Sequence, residues 1–254
     1  MKKILLVLAV FFALSVPSFA LLHVGVNAGY AYANMDHLNN AWEYVKQQTP
    51  ESYGTAKATD FGNSIFVNAD VGLGLLPFLN VGPRTGLQYV FPATFELTAD
   101  YGMGQINYKE TITTMLIPAE LGVSANIAIP LTPFSVTAGI YGGYGFAFAT
   151  REITTNTLSI SDITFTQPFN GGGFMADASA ALEMNILPFI NISLNGGYRY
   201  CLIENINSTK EIKDPLTGDV IVSADQMEVF PNNGDKLKVN FSGFQVGAGL
   251  NIRF

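Results

Sequence analysis

Apolar and polar residues alternate one by one through eight stretches of this chain, a period of two that marks strands with one greasy and one polar face. The first runs from about Leu22 to Ala33. Val24, Val26, Ala28, Tyr30 and Tyr32 share one face, and His23, Gly25, Asn27 and Gly29 the other. The second sets Ile65, Val67, Ala69, Val71, Leu73 and Leu75 against Ser64, Phe66, Asn68, Asp70, Gly72 and Gly74. The third carries Val81, Thr85, Leu87 and Tyr89 on its apolar side. The others run over Met115–Ile127, Val136–Phe146, Ala176–Ile186, Ile190–Tyr200 and Phe244–Phe254. Pro83 and Pro118 fall inside two of these strands. A proline has no N–H to give a ladder, so bulges are expected there.

The connections differ in kind. Leu76-Pro77-Phe78, Thr132-Pro133-Phe134 and Leu187-Pro188-Phe189 each join two alternating stretches and recur about 55 residues apart, as hairpins of an up-and-down meander would. The remaining connections, near residues 34–62, 92–112, 150–174 and 203–240, read as long loops. In the first of them Leu38, Ala41, Trp42 and Val45 keep helical spacing. They predict a short amphipathic helix with Asp36 as its N-cap, placed to cover a barrel mouth. In the last, residues 210–213 and 220–222 flank Asp214-Pro215 and Thr217-Gly218, which predicts a β-hairpin.

Composition narrows the class. Hydrophobic residues make up 48% of the chain and charged ones 13%, against about 25% charged in an ordinary domain. Yet beyond the N-terminus no apolar run approaches the ~20 residues of a membrane helix. Lys2 and Lys3, the apolar stretch 4–16 and Pro17-Ser18-Phe19-Ala20 read as a cleaved secretory signal, residues 1–20. Residues 21–254 then form one barrel domain. Leu21 in place of Cys argues against a lipoprotein anchor. The net charge of −7 becomes more acidic once Lys2 and Lys3 are removed, and no basic run exists, which excludes nucleic acid as a partner. Cys201 stands alone, so neither a disulfide framework nor a cysteine metal site is expected. No cofactor is expected either, because no ligand cluster, phosphate loop or activated nucleophile is visible.

The terminal strand Phe244–Phe254, ending on an aromatic, and the hairpin Met115-Leu116-Ile117-Pro118-Ala119-Glu120 with Gly139-Ile140-Tyr141-Gly142-Gly143-Tyr144 resemble the small bacterial outer-membrane β-barrels (OmpA-, OmpX- and OmpW-like). The resemblance covers the mature chain and identifies the superfamily, not a member. It implies an all-β fold: an eight-stranded antiparallel up-and-down transmembrane barrel with long extracellular loops and short periplasmic turns. The location implied is the outer membrane of a diderm bacterium. Lipid is the implied surrounding partner, and the barrel-assembly machinery is engaged through the C-terminal strand. Phe78, Phe134, Phe189 and Phe254 would form the periplasmic girdle, and Tyr30, Tyr32, Tyr89, Tyr144, Tyr198 and Tyr200 the loop-side one. A soluble lipocalin-like barrel also alternates, but its outward face would need Lys and Glu. Here the polar members are mostly Gly, Ser, Asn and Thr, which suit a narrow packed interior.

Charges on the inward face are the first functional candidates. Asp70 and Arg84 flank Pro77 symmetrically, as Asp177 and Arg199 flank Pro188, so hairpin symmetry predicts two interior ion pairs. Glu120 and Glu183 point inward with no partner in their own hairpins and are candidates for a solvated lumen. Such charges serve either a gate or plain packing, since eight strands enclose room for side chains or one small ligand. The leading expectation is a non-enzymatic surface protein. Its barrel anchors, and its loops, including the helix of Leu38, Trp42 and Val45, meet an extracellular ligand in adhesion or an envelope structural role. The alternative is an OmpW-like narrow channel for small, mainly apolar molecules. A lipid-modifying enzyme built on His37 ranks third, as no serine or acid partner for it is visible.

Overall fold

The computed structural model describes residues 22–49, 54–76, 78–100, 105–157, 163–213, 220–222 and 238–254. The expected signal segment, Pro77 and the turn holding Asp214 and Asp219 lie outside them. Eight strands form the barrel. They are β1 (Leu22–Tyr32), β2 (Asn63–Leu76), β3 (Leu79–Asp100), β4 (Gln105–Ala128), β5 (Phe134–Thr157), β6 (Ile163–Leu187), β7 (Ile190–Ile203) and β8 (Gly243–Arg253). Each pairs antiparallel with the next. The ring closes where β8 meets β1, from His23 opposite Arg253 to Ala31 opposite Gln245. Closure leaves no free strand edge in the wall.

The barrel is inverted relative to a soluble one. Ile65, Val67, Leu121, Ile140, Leu194 and Leu250 stand exposed on the outside, while Ser64, Asn68, Gln88, Asp177 and Arg199 are buried inside. An apolar exterior on a sheet that closes on itself is what a hydrocarbon solvent demands. This is a transmembrane β-barrel. Phe78, Phe134, Phe189 and Phe254 are exposed at the turn end, and Tyr30, Tyr32, Tyr144, Tyr198 and Tyr200 at the loop end. Tyr89 is only half-buried, its ring 6.3 Å from Phe91. The upper girdle also holds phenylalanines, with Phe174 5.8 Å from Tyr144 and Phe244 5.1 Å from Tyr198.

Two of the expected long loops are mostly strand. Residues 92–112 and 150–174 lengthen β3 to β6 rather than adding strands to the ring, and they carry a sheet well above the girdle. Gly54–Ala58 joins its β3 edge and Ile206–Ser208 its β6 edge. The reason is chemical: here the outward positions are threonine and charged residues, so the apolar alternation fades. Threonine nonetheless suits the pleated backbone as well as valine does.

The proline expectation also changes. Pairing runs through Pro83 and Pro118 without a register shift. The irregularity lies between Val90 and Ala93, at Phe91 and Pro92, where β3 gains one residue on β4. Below it β3 turns Arg84, Gln88 and Val90 inward; above it Ala93, Phe95 and Ala99 take that side.

Helix α1 (Asp36–Gln48) forms where the spacing predicts it. Asp36 is its first residue and not its N-cap. Met35 occupies that place without a side-chain bond, and the Asp36 N–H donates to Asn34 Oδ1 at 3.1 Å. Leu38 and Trp42 are buried and Val45 packs beside them. In the last connection Ile212–Lys213 and Val220–Val222 pair antiparallel, and Val239–Asn240 runs beside β7.

Candidate functional site

The inward face is layered from the turn end upward. At the bottom, Glu183 is not alone. Arg253 donates to its carboxylate, Thr137 Oγ1 donates to Oε1 at 2.6 Å, and Asn126 joins both through Arg253 Nη1 at 3.2 Å. Asp70, expected to pair with Arg84, instead accepts from His23 Nε2 at 2.6 Å. Asp70 and Arg84 do face each other in the ladder, but the guanidinium turns across the barrel.

Arg84 Nη1 reaches Asp177 Oδ1 at 3.2 Å, a residue three strands away. It can do so because the guanidinium lies on the Tyr141 ring, 3.5 Å from its centroid. That ring in turn lies flat over Gly122 and Gly139, where any Cβ would meet it at 2.3 and 2.8 Å. Stacking and ion pairing together fix the arginine. Asp177 also holds Arg199, its ladder partner, with Oδ2 3.3 Å from Nη2. Arg199 Nη1 donates to Gln88 Oε1 at 2.9 Å, Gln88 Nε2 to Ser64 Oγ at 3.0 Å, and the Ser64 hydroxyl to the Ala31 carbonyl at 2.7 Å. Gln245 completes Asp177 from β8. The result is a belt across the lumen with Arg199 at 0% exposure. Glu120, level with Arg84 in the ladder, is buried too, and neither carboxylate oxygen has a hydrogen-bond partner among the described residues. It is not a solvated group.

Between the bottom knot and the belt lies a polar chamber of about 80 Å³, walled by groups such as Asn68, Ser124, Ser193 and Asn195. That is room for a few waters. Above the belt the interior changes character. Val90, Leu116, Ala147, Met175, Cys201 and Ile203 form a dry plug, and α1 closes it with Leu38 and Trp42. Gly145 belongs to this layer because a Cβ would sit 2.8 Å from Leu116 Cδ1 and 3.1 Å from Cys201 Sγ.

Higher still, Trp42 stacks at 6.0 Å on Phe95, which meets Tyr108 edge-on at 6.3 Å. Tyr108 donates to Glu110 Oε2 at 2.9 Å, and Arg151 Nε donates to Glu110 Oε1 at 2.6 Å. Burial pushes the Tyr108 phenol up, and the adjacent Glu110 carboxylate adds to the shift.

His37 sits half-buried at the start of α1, and its Nδ1 has no hydrogen-bond partner among the described residues. Among those residues no three His, Cys, Asp or Glu side chains gather as metal ligands would. His23, Tyr141, Gln88, Gln245 and Arg253 were not singled out as site residues from the sequence. Alternation put all of them on the inward face, yet their partners lie across the lumen and not in the neighbouring hairpin arm.

No protein-family model and no curated protein matches this sequence. Solved structures do. Neisserial surface protein A is similar at 10% identity and a TM-score of 0.38, over 92% of this chain and 97% of that one. The outer membrane protein OprG from Pseudomonas aeruginosa is similar at 10% and 0.40, over 94% and 100%. The attachment invasion locus protein Ail of Yersinia pestis is similar at 10% and 0.33, over 91% and 98%. At such values the likeness carries nothing about role, and the barrel assignment rests on the strand pairing and the inverted faces above.

Proposed function

We propose that this chain is a surface protein of the outer membrane of a diderm bacterium, its barrel a closed anchor and its extracellular part the working surface. One observation carries the reading: the lumen is blocked twice, by the Arg84–Asp177–Arg199 belt and by the dry plug under α1. A solute would have to break a buried ion network and also displace a packed core. Neither is a small gating movement. The anchor is put in place by the assembly machinery acting on β8, and a ligand is met by the loops and the raised sheet, in adhesion or in holding the envelope together. In this reading the role is non-enzymatic, and His37 Nδ1 has no hydrogen-bond partner among the described residues.

The test is single-channel recording of the refolded protein in a planar bilayer, beside a Trp42→Ala variant that loosens the cap. Both are expected to stay silent, because the belt remains when the cap opens. Discrete openings in the native protein would overturn the anchor reading and favour a narrow conduit for small apolar molecules. Deleting the loop hairpin around residues 210–222 is expected to weaken surface binding while leaving heat-dependent gel mobility intact.

A further inference from the structure

We infer that the outward face of the raised sheet is a contact surface for the neutral sugars of the glycolipid leaflet around the barrel. The inference rests on the outer-membrane orientation proposed above. This face is continuous with the lipid-facing wall: the same strands β3 to β6 pass the aromatic girdle and keep turning every second side chain away from the barrel axis. What that side chain is changes abruptly. On β4, Met115 and Ile117 give way to Thr113, Thr111 and Lys109; on β5, Phe146 and Phe148 give way to Thr150, Glu152 and Thr154. The wall therefore leaves hydrocarbon and enters the headgroup layer above it, where an outer-leaflet glycolipid presents sugar hydroxyls beside its phosphates.

The chemistry of the face selects among occupants. Its side chains form cross-strand pairs in successive rows: Thr94 with Thr111 at 3.4 Å, Thr98 with Asn107 at 3.1 Å, and Thr154 with Thr164 at 3.2 Å. Each hydroxyl in such a pair keeps unused hydrogen-bonding capacity toward solvent or a ligand. Within a row the side chains sit at the strand spacing of about 4.8 Å, on a preorganised backbone. A protein partner is disfavoured, because the outward positions of the raised sheet among the described residues offer no large apolar or aromatic anchor of the kind that dominates protein interfaces. A polyanion is disfavoured as well. Lys109 is held by Glu96 at 3.0 Å, and Lys57 faces the same Glu96 in the ladder. A phosphate or sulfate would have to displace that carboxylate. What remains is a hydroxyl-rich surface whose Lys57 and Lys109 are offset by Glu96 and Glu152, and carbohydrate matches it.

The experiment follows backbone amide exchange in the full refolded protein, in vesicles of phospholipid with lipopolysaccharide carrying its complete core oligosaccharide, and in vesicles with lipid A alone. Exchange across residues 107–113 and 150–156 is expected to slow at least threefold in the first membrane, while β7, which lies in the hydrocarbon-facing wall below the raised sheet, is unchanged. A Thr111→Val, Thr154→Val, Thr166→Val triple variant keeps the β-branched shape and removes three hydroxyls. In the full-core membrane it is expected to exchange as the native protein does over lipid A, with unaltered heat-dependent gel mobility showing that it is folded. Equal exchange in the two membranes, or slow exchange retained by the folded triple variant, would overturn the sugar assignment. Loss of the slowing in high salt would also overturn it, pointing to phosphate held by the lysines. Failure of the native protein to insert in either membrane would bring down the outer-membrane reading itself, a result separable from the others by gel mobility alone.

Discussion

The two ends of the lumen solve the same problem with different materials. Toward the turn end the interior is a lattice of charges and amides around a small wet chamber, and toward the loop end it is a hydrophobic core with a tryptophan at its centre. Both fill the space an eight-stranded wall encloses. They differ in how they fail. A hydrophobic core tolerates an alternative side chain of like volume. A buried charge lattice does not tolerate the loss of one member, because the survivors keep their desolvation cost without their partners. The lower half therefore specifies one arrangement, and the upper half supplies cohesion between the barrel and the elements above it.

The sharpest way to break this contrast is Asp177→Ala. It strands Arg84 and Arg199 inside the wall and is expected to destabilise the barrel by about 3–5 kcal/mol, read as a lowered urea midpoint of the whole protein in detergent micelles. Trp42→Ala is expected to cost about 3 kcal/mol, and locally. Amide exchange and protease cleavage should accelerate in residues 34–49 while the barrel midpoint hardly moves. If Trp42→Ala lowered the global midpoint as much as Asp177→Ala, the two halves would be one cooperative unit and the contrast would fall.

A smaller effect belongs to the junction above the plug. Tyr108 has its phenol pKa raised in the folded state, so its contribution is fully present below the unfolded value of about 10. It is lost as the pH climbs toward the folded one. Amide exchange in the raised sheet should therefore speed up on the alkaline side, and Tyr108→Phe should blunt that response. Least of all, Lys109→Ala removes an exposed ion pair with Glu96 and is expected to shift stability by no more than about 0.5 kcal/mol, within the scatter of a melting curve.

How much of this was legible in the sequence depends on whether the cause was local. The ring of eight strands, the helix of Leu38 and Trp42 and the aromatic rims follow from alternation and spacing, which act over a few residues. Asp177 and Arg199 sit opposite each other because one hairpin puts them there. Arg84 broke the same rule. Its ladder neighbour Asp70 was available, but the Tyr141 ring, seated on two glycines, leads the guanidinium across the lumen instead. Contacts across a closed barrel depend on shear and side-chain reach, which no single hairpin encodes. The raised sheet was missed for another reason: its strands advertise themselves through threonine, whose β preference carries no hydrophobic contrast.

The extra residue at Phe91–Pro92 acts on β3 as a leap day acts on a calendar: it absorbs a surplus so that everything after it keeps its place. Val90 and Ala93 stand three residues apart yet face the same side, because Thr114 and Ile112 opposite them stand two apart. Removing one of the two bulge residues would leave a regular ladder with Phe95 still beside Trp42. Removing both would turn Thr94, Glu96 and Thr98 inward and Phe95 outward. In a lineage carrying this protein, loss of a single residue at this point should be tolerated, and loss of two should appear only with a compensating change nearby.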